Sequence, residues 1–239
     1  MTSYPTGARF CFIMVNEKEY RDGGASSEYS TRNRIIEAAG LLFAQEGFDR
    51  ATSREICDLA HVNPAAVNYH FGGKERLYLE VLREAHRRLV NFGTLKDFAE
   101  ESHLSEEKIE VFFIGYLKSL LDNSPEGWTS RVMLREMAAP TSAFNELVQL
   151  QIRPTAMLFR SLAAHIMGLS VEHEAVVRGT LSIAAQFVFV FQNRKVVELV
   201  NPDLDLTEEG IGLLARHIWR FSLAGLKAVA SDYKDGAVK

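Results

Sequence analysis

The chain has 239 residues, 47% of them apolar, enough to bury one large core or a small domain joined to a larger one. Its formal charge of −4 gives no general attraction for polyanions, so any nucleic-acid contact must come from a local arrangement. The two cysteines, Cys11 and Cys57, lie far apart without metal-ligand spacing, which argues against a disulfide framework and for a reducing compartment.

Residues 1–29 mix Thr, Ser, Gly and Tyr with charges and hold no period for long; they read as a flexible tail with one apolar segment, RFCFIMV. That segment is too short for the apolar region of a signal peptide, and the longest later apolar run, residues 183–191, falls well below the roughly 18 residues of a membrane span. A soluble cytoplasmic protein is the expectation.

From Ser30 the pattern turns helical. Ile35, Ala38, Ala39, Leu42 and Phe43 share one face, and Gly47 stands where the helix would end. Thr52-Ser-Arg-Glu55 spells a capping box, which opens a second helix with Ile56, Leu59 and Ala60 as its apolar side. That helix stops near Ala60, because Asn63-Pro64 supplies an N-cap with proline at the first position of a third. The third ends by Gly72-Gly73. A fourth starts at Lys74 and runs through Leu77, Leu79, Val81, Leu82, Ala85 and Leu89 into the nineties.

Beyond residue 100 the pattern stays helical: 105–120, 128–138 closed by Pro140, and 142–152, where Pro154 either kinks the helix or starts a new one reaching Met167-Gly168. Residues 171–197 and 207–229 form the last two long helices, separated by Asn201-Pro202 and an acidic opening at Thr207-Glu208-Glu209. There is no internal repeat, low-complexity tract or sheet pattern. The fold class is therefore all-α, about nine helices.

Two short helices joined by a three-residue turn under a longer first helix make a helix-turn-helix candidate. Val67 and Phe71, four apart, anchor the third helix inward and leave Ala65, Ala66, Asn68, Tyr69 and His70 on the outer arc. Small alanines permit close approach to base edges, Asn pairs bidentately with adenine, and Tyr and His donate to phosphates. The same spacing also suits a tight packing motif that never touches DNA, and the local charges nearly cancel.

The stretch TRNRIIEAAGLLFAQEGFDRATSREICDLAHVNPAAVNYHFGGKERLYLEVL resembles the N-terminal domain of the TetR family of transcriptional regulators. The resemblance lies in the A...LF...GF ending of the first helix, the T-S-x-x-I before the second and the NYHFGGKE-x-L after the third. It implies a helix-turn-helix DNA-binding domain over residues 30–75. Thr52, Ser53, Tyr69, His70 and Lys74 then resemble phosphate-contacting positions, and Ala65, Ala66 and Asn68 resemble base-facing ones. Two positions depart from the family pattern. His61 stands where the turn usually has Gly, so it must either take a left-handed conformation or remodel the turn, and Asn68 stands where an aromatic is common.

The resemblance further implies that residues 76–239 form a helical ligand-binding and dimerising body, and RVMLREMAAPTSAFNELVQLQIRP more narrowly resembles the CecR-type C-terminal domain. Residues 183–191 are apolar on every helical face, which requires cover from two sides. A symmetric four-helix dimer interface built on Ile183, Phe187, Val190, Phe191, Leu214, Ile218 and Trp219 would supply it; a deeply buried helix of a monomer is the alternative. For a small-molecule pocket the candidates by type and place are Phe112, Phe113, Tyr116, Trp128, Arg131, Met133, Met137 and Phe159. Arg131, Arg135 and Glu136 could instead form an internal ion pair. His165, His173 and His217 lack metal-ligand spacing, so no metal or cofactor is called for.

The first functional hypothesis is a homodimeric, ligand-released repressor binding a roughly palindromic double-stranded operator, with an unknown small-molecule effector that shifts the fourth helix. The second is an all-α small-molecule-binding protein or enzyme, for which no local catalytic signature exists. An architectural helix-turn-helix protein without a ligand is the third.

Overall fold

The computed structural model describes residues 25–90, 105–122 and 127–234. The RFCFIMV segment, Cys11 and the continuation of the fourth helix past Val90 lie outside the described residues. Eleven α-helices and no strand occur among the described residues, in agreement with the all-α expectation.

Helix α1 (Ala25–Glu46) begins five residues before Ser30, since no Pro or Gly separates Ala25 from Ser30. Helix α2 (Ser53–Leu59) packs against α1, α3 (Ala66–Phe71) packs against α2 and α4, and α4 (Lys74–Val90) returns along α1 and leads out of this unit. The remainder comprises α5 (Glu106–Leu120), α6 (Trp128–Ala138), α7 (Ala143–Leu147), α8 (Arg153–Met167), α9 (Glu174–Gln192), α10 (Arg194–Val200) and α11 (Glu208–Lys234). Helix α11 lies along α5, α8 and α9, while α6 is wedged between α1 and α4.

Pro154 neither breaks the chain direction nor kinks it alone. It has no N–H for the carbonyl four residues back, and the ladder widens into a π turn over Val148–Ile152 that joins α7 to α8. The helix expected over 171–197 is likewise divided: His173 caps its start by accepting from the Ala175 N–H (3.1 Å), and Asn193 separates α9 from α10. These two divisions account for more segments than the sequence pattern suggested.

Helix α6 joins the two parts of the molecule. The Trp128 indole N–H donates to Glu37 of α1 (2.8 Å), and its ring lies so close to Gly40 that an added Cβ would sit 2.4 Å from it. The Arg135 guanidinium donates to the carbonyls of Ala44 (2.8 Å) and Gln45 (2.6 Å), closing the C-terminal end of α1. Its neighbour Glu136 is only 1% exposed, and it accepts from the Tyr78 hydroxyl of α4 (2.8 Å) and from the N–H and hydroxyl of Thr141. Burial, then the bond to Glu136, pushes the Tyr78 hydroxyl far above the usual phenol range. Arg135 and Glu136 thus serve different helices and do not pair with each other as the sequence allowed.

His86 of α4 is 7% exposed, and its Nδ1 has no hydrogen-bond partner among the described residues. Burial lowers its pKa from 6.5 to about 4, so the folded protein holds it neutral while the unfolded chain protonates it from pH 6.5 downward. The unfolded state binds the extra proton, and stability is therefore lost as the pH falls from 6.5 toward 4. The loss amounts to up to roughly 3 kcal/mol from this one group. Urea unfolding across that window should show the loss, and His86→Leu should flatten the dependence by a comparable amount; equal slopes in both proteins would contradict it.

Candidate nucleic-acid interface

The local chemistry of residues 52–74 fixes two short helices at an angle. At the start of α2 the capping box is complete: the Thr52 hydroxyl accepts from the Glu55 N–H (3.2 Å), and the Glu55 carboxylate accepts from the Thr52 N–H (2.9 Å). The Thr52 hydroxyl proton also goes to Glu55 (2.6 Å), and these bonds hold the Glu55 carboxyl below its usual range. Thr52 thereby spends its hydroxyl proton on the cap rather than presenting it outward. Ser53 beside it is partly exposed.

The turn then depends on His61, whose φ is 53°, the one positive value at a non-glycine position among the described residues. This left-handed conformation lets the His61 N–H reach the Asp58 carbonyl (3.1 Å) and the Val62 N–H reach the Cys57 carbonyl (3.0 Å), which closes α2. The first of the two alternatives for His61 is the one observed. Arg34 of α1 secures the turn from behind by donating to the carbonyls of Ala60 (2.6 Å) and His61 (2.5 Å). On the far side Asn63 accepts from the Ala65 N–H (2.9 Å), and α3 follows.

Within α3, Val67 is fully buried and Phe71 is 7% exposed, with the Arg32 guanidinium over the Phe71 ring. Ala65, Asn68 and Tyr69 are exposed, Tyr69 to 76%, and His70 is half-buried with its ring edge against Tyr69. Ala66 does not belong with them. It is 9% exposed, turned toward the core one turn before His70, so its assignment to the outer arc is corrected. Lys74 also departs from expectation: its ammonium donates to the carbonyls of Phe48 (2.9 Å) and Ala51 (3.1 Å) and lies over the Phe48 ring. It ties the loop after α1 to the start of α4 and keeps a single donor for any other partner. Arg54, exposed in the first turn of α2 with no partner among the described residues, was not singled out from the sequence; its neighbour Glu55 masked it.

In the body, three of the eight pocket candidates, Phe113, Tyr116 and Phe159, line a cavity of about 100 Å³. Phe112 packs on Tyr116 and Phe159 without lining it. Trp128 is corrected to the α1–α6 contact, and Met133 (5% exposed) is core. Arg131 and Met137 are half-buried on α6 and take no part in the cavity. Three residues expected at a subunit interface, Ile183, Phe187 and Trp219, complete the cavity wall instead. With them, Val190 (8%), Phe191 (5%) and Ile218 (5%) face the chain's own core, and Leu214 is half-buried. The interface assignment therefore chose the wrong face of both helices. Their exposed apolar side carries Leu181 (68%) and Phe189 (56%) on α9 and Leu213 (58%) and Phe221 (66%) on α11.

Residues 35–81 match the model of the bacterial regulatory proteins of the tetR family, and residues 105–226 match the C-terminal domain of the HTH-type transcriptional dual regulator CecR. The chain is 44% identical over 55 residues to the probable HTH-type transcriptional regulator YttP of Bacillus subtilis, covering 23% of this chain and 27% of that protein. It is 29% identical over 112 residues to the HTH-type transcriptional regulator UidR of Escherichia coli, covering 46% of this chain and 50% of that one. The chain thus spans about half or less of the length of these curated relatives. Among solved structures the SmeT–triclosan complex is similar with a TM-score of 0.62 and 21% identity, covering 82% of this chain and 91% of that chain.

His61→Gly, which removes the left-handed strain, should raise stability by about 0.5 to 1 kcal/mol, and Arg34→Ala, which strips two carbonyls of a charged donor, should lower it by about 1 to 2 kcal/mol. Urea midpoints of the two variants decide this; a loss in His61→Gly would mean that the imidazole itself holds the turn.

Proposed function

Because this chain belongs to the TetR family of bacterial regulatory proteins and carries a CecR-type C-terminal domain, we propose that it is a DNA-binding transcriptional repressor, dimeric and released by a small-molecule effector. The observation that carries this reading is the exposed arc of α3. Asn68 and Tyr69 stand clear of the surface on a helix pinned by Val67 and Phe71 beneath it. A helix so short and so firmly seated fits a major groove, where Asn68 pairs with an adenine edge and Ala65 allows close approach. Tyr69, Ser53 and His70 donate to phosphates, and Arg54 supplies the free cation that Lys74, bonded to two carbonyls, does not.

The exposed apolar sides of α9 and α11 support a two-fold dimer. Leu181 and Phe189 on one helix and Leu213 and Phe221 on the other would cost less against a second copy than against water, and four such helices form an isologous interface. Two copies of α3 about one DNA turn apart then read a roughly palindromic operator. The cavity between α5, α8, α9 and α11 offers an effector site, and the similar SmeT structure, solved with triclosan, supports such a body admitting a small molecule. An effector acts by binding one separation of the two heads better than the other. A cytoplasmic location accords with a repressor's task.

Selection of bound genomic fragments by the purified protein, followed by measured affinities, tests the reading directly. Asn68→Ala should relax discrimination at one base step by about 1 to 3 kcal/mol while sparing non-specific binding, and Arg54→Ala should weaken binding to all sequences and reduce the salt slope by about one. Lys74→Ala should act chiefly on stability, since two carbonyls lose their donor. Equal losses on every sequence in Asn68→Ala would remove its base-reading role.

Sedimentation at micromolar concentration should give a dimer, and Leu181→Glu with Phe221→Glu should give a folded monomer of unchanged circular dichroism. A wild-type monomer would end the dimer model and with it the palindrome.

A further inference from the structure

Resting on the effector reading above, we infer that the body cavity takes an uncharged, single-ring aromatic molecule bearing a hydrogen-bond acceptor, which the Tyr116 hydroxyl and the Trp219 indole N–H hold as donors.

The walls dictate the absence of charge. Among the described residues no Asp, Glu, Lys, Arg or His lines the cavity, so an ion entering it would shed its water without meeting a counter-ion there. Size and shape dictate the ring. The cavity is about 100 Å³, somewhat under the roughly 150 Å³ that holds benzene in an apolar interior, so a single ring with side-chain adjustment is the size class it suits best. Flat walls surround it: the Phe113 ring stacks on Phe187 at 5.0 Å and on Trp219 at 4.9 Å, while Tyr116 and Phe159 stand 6.1 Å apart. Ala156, Ala163 and Ala184 leave the space that these rings enclose.

Hydrogen-bond accounting dictates the acceptor. Three polar side chains contribute to the wall: Tyr116, Thr180 and Trp219. Thr180 already donates its proton to the Val176 carbonyl (2.8 Å). Neither the half-buried Tyr116 hydroxyl nor the N–H of Trp219, a residue 1% exposed, has a hydrogen-bond partner among the described residues. Burial pushes the Tyr116 hydroxyl up to about 12, so it remains a neutral donor at any ordinary pH. Both donors belong to side chains of the cavity wall, and a ligand carbonyl or ether oxygen bound there would complete them.

The test titrates the full-length protein by calorimetry with acetophenone, with ethylbenzene, which has the same carbon skeleton without the acceptor oxygen, and with benzoate, which has the same ring and a charge. Trp219 fluorescence gives a second readout, with Trp219→Phe as its control. Acetophenone should bind saturably, ethylbenzene about two- to tenfold more weakly, and benzoate more weakly than either. Tyr116→Phe should narrow the gap between the two neutral compounds, and the Tyr116→Phe/Trp219→Phe variant should abolish it while still binding ethylbenzene. Benzoate binding as well as acetophenone, no binding of either neutral compound, or an acceptor preference that survives in a folded double variant would overturn the inference. If the variants fail to fold, the three-compound comparison on the wild type decides alone. None of these readouts involves DNA: acetophenone that binds as stated yet leaves operator affinity unchanged upholds the ligand class and sinks the effector reading.

Discussion

The arrangement of this protein depends on a buried carboxylate. Glu136, almost without solvent contact, would be costly without hydrogen-bond donors, and it draws three of them from Tyr78 on α4 and Thr141 at the entry to α7. To satisfy it, α6 must lie against α4 in one register. That register brings Arg135 to the open carbonyls of α1 and Trp128 into the space that Gly40 leaves beside it. One satisfied charge thus sets the angle between the three-helix head and the helical body.

From the head's side, the same logic recurs on a smaller scale. Arg34 on α1 holds the strained His61 turn, Lys74 on α4 holds the carbonyls at Phe48 and Ala51, and Arg32 covers Phe71. These cations look in sequence like surface charges available to a polyanion, and in the structure they are committed to carbonyls and rings within the head. The near-cancellation of charge around residues 32–74 is the consequence: most of the positive groups serve as staples. The exposed residues left out of these bonds include Asn68 and Tyr69 on α3 and Arg54 on α2, with Ser53 partly exposed.

Much of this was legible in the chain because short-range chemistry determined it. The capping box at Thr52 and the glycines after Phe71 bound α2 and α3 by local rules, while α3 starts at Ala66, two residues past the expected Pro64, with Ala65 and not Asn63 at its N-cap; the family's glycine marked His61 as left-handed or remodelled, and φ is positive there. The body was less legible for two reasons. Pro154 could not announce a π turn, since only the packing of α7 and α8 chooses between a kink and a wider ladder. Periodicity likewise could not decide which side of α9 was inward, because residues 183–191 are apolar on every side, and the choice fell on the face that turned out to be core. Trp128 and Met133 attracted attention as pocket residues through their type alone, and their true contacts are separated from them by too many residues for any local signal.

That ambiguity of α9 has a physical meaning. Ile183 and Phe187 on its inner side line the cavity, while Leu181 and Phe189 on its outer side remain exposed, two to six residues apart along the same rigid rod. A helix cannot shift one face without the other. A ligand that shifts α9 as a body, rather than only turning the Phe187 ring, therefore moves Leu181 and Phe189 as well, and α11 lies in its path, since Trp219 shares the cavity wall and Phe221 lies two residues beyond it. In the proposed dimer, filling the cavity and repacking the subunit interface become one event. The proposed effector would then need no separate route to the partner: its preference for one cavity shape would already be a preference for one spacing of the two heads, and the size of that preference would set how far the equilibrium between spacings shifts.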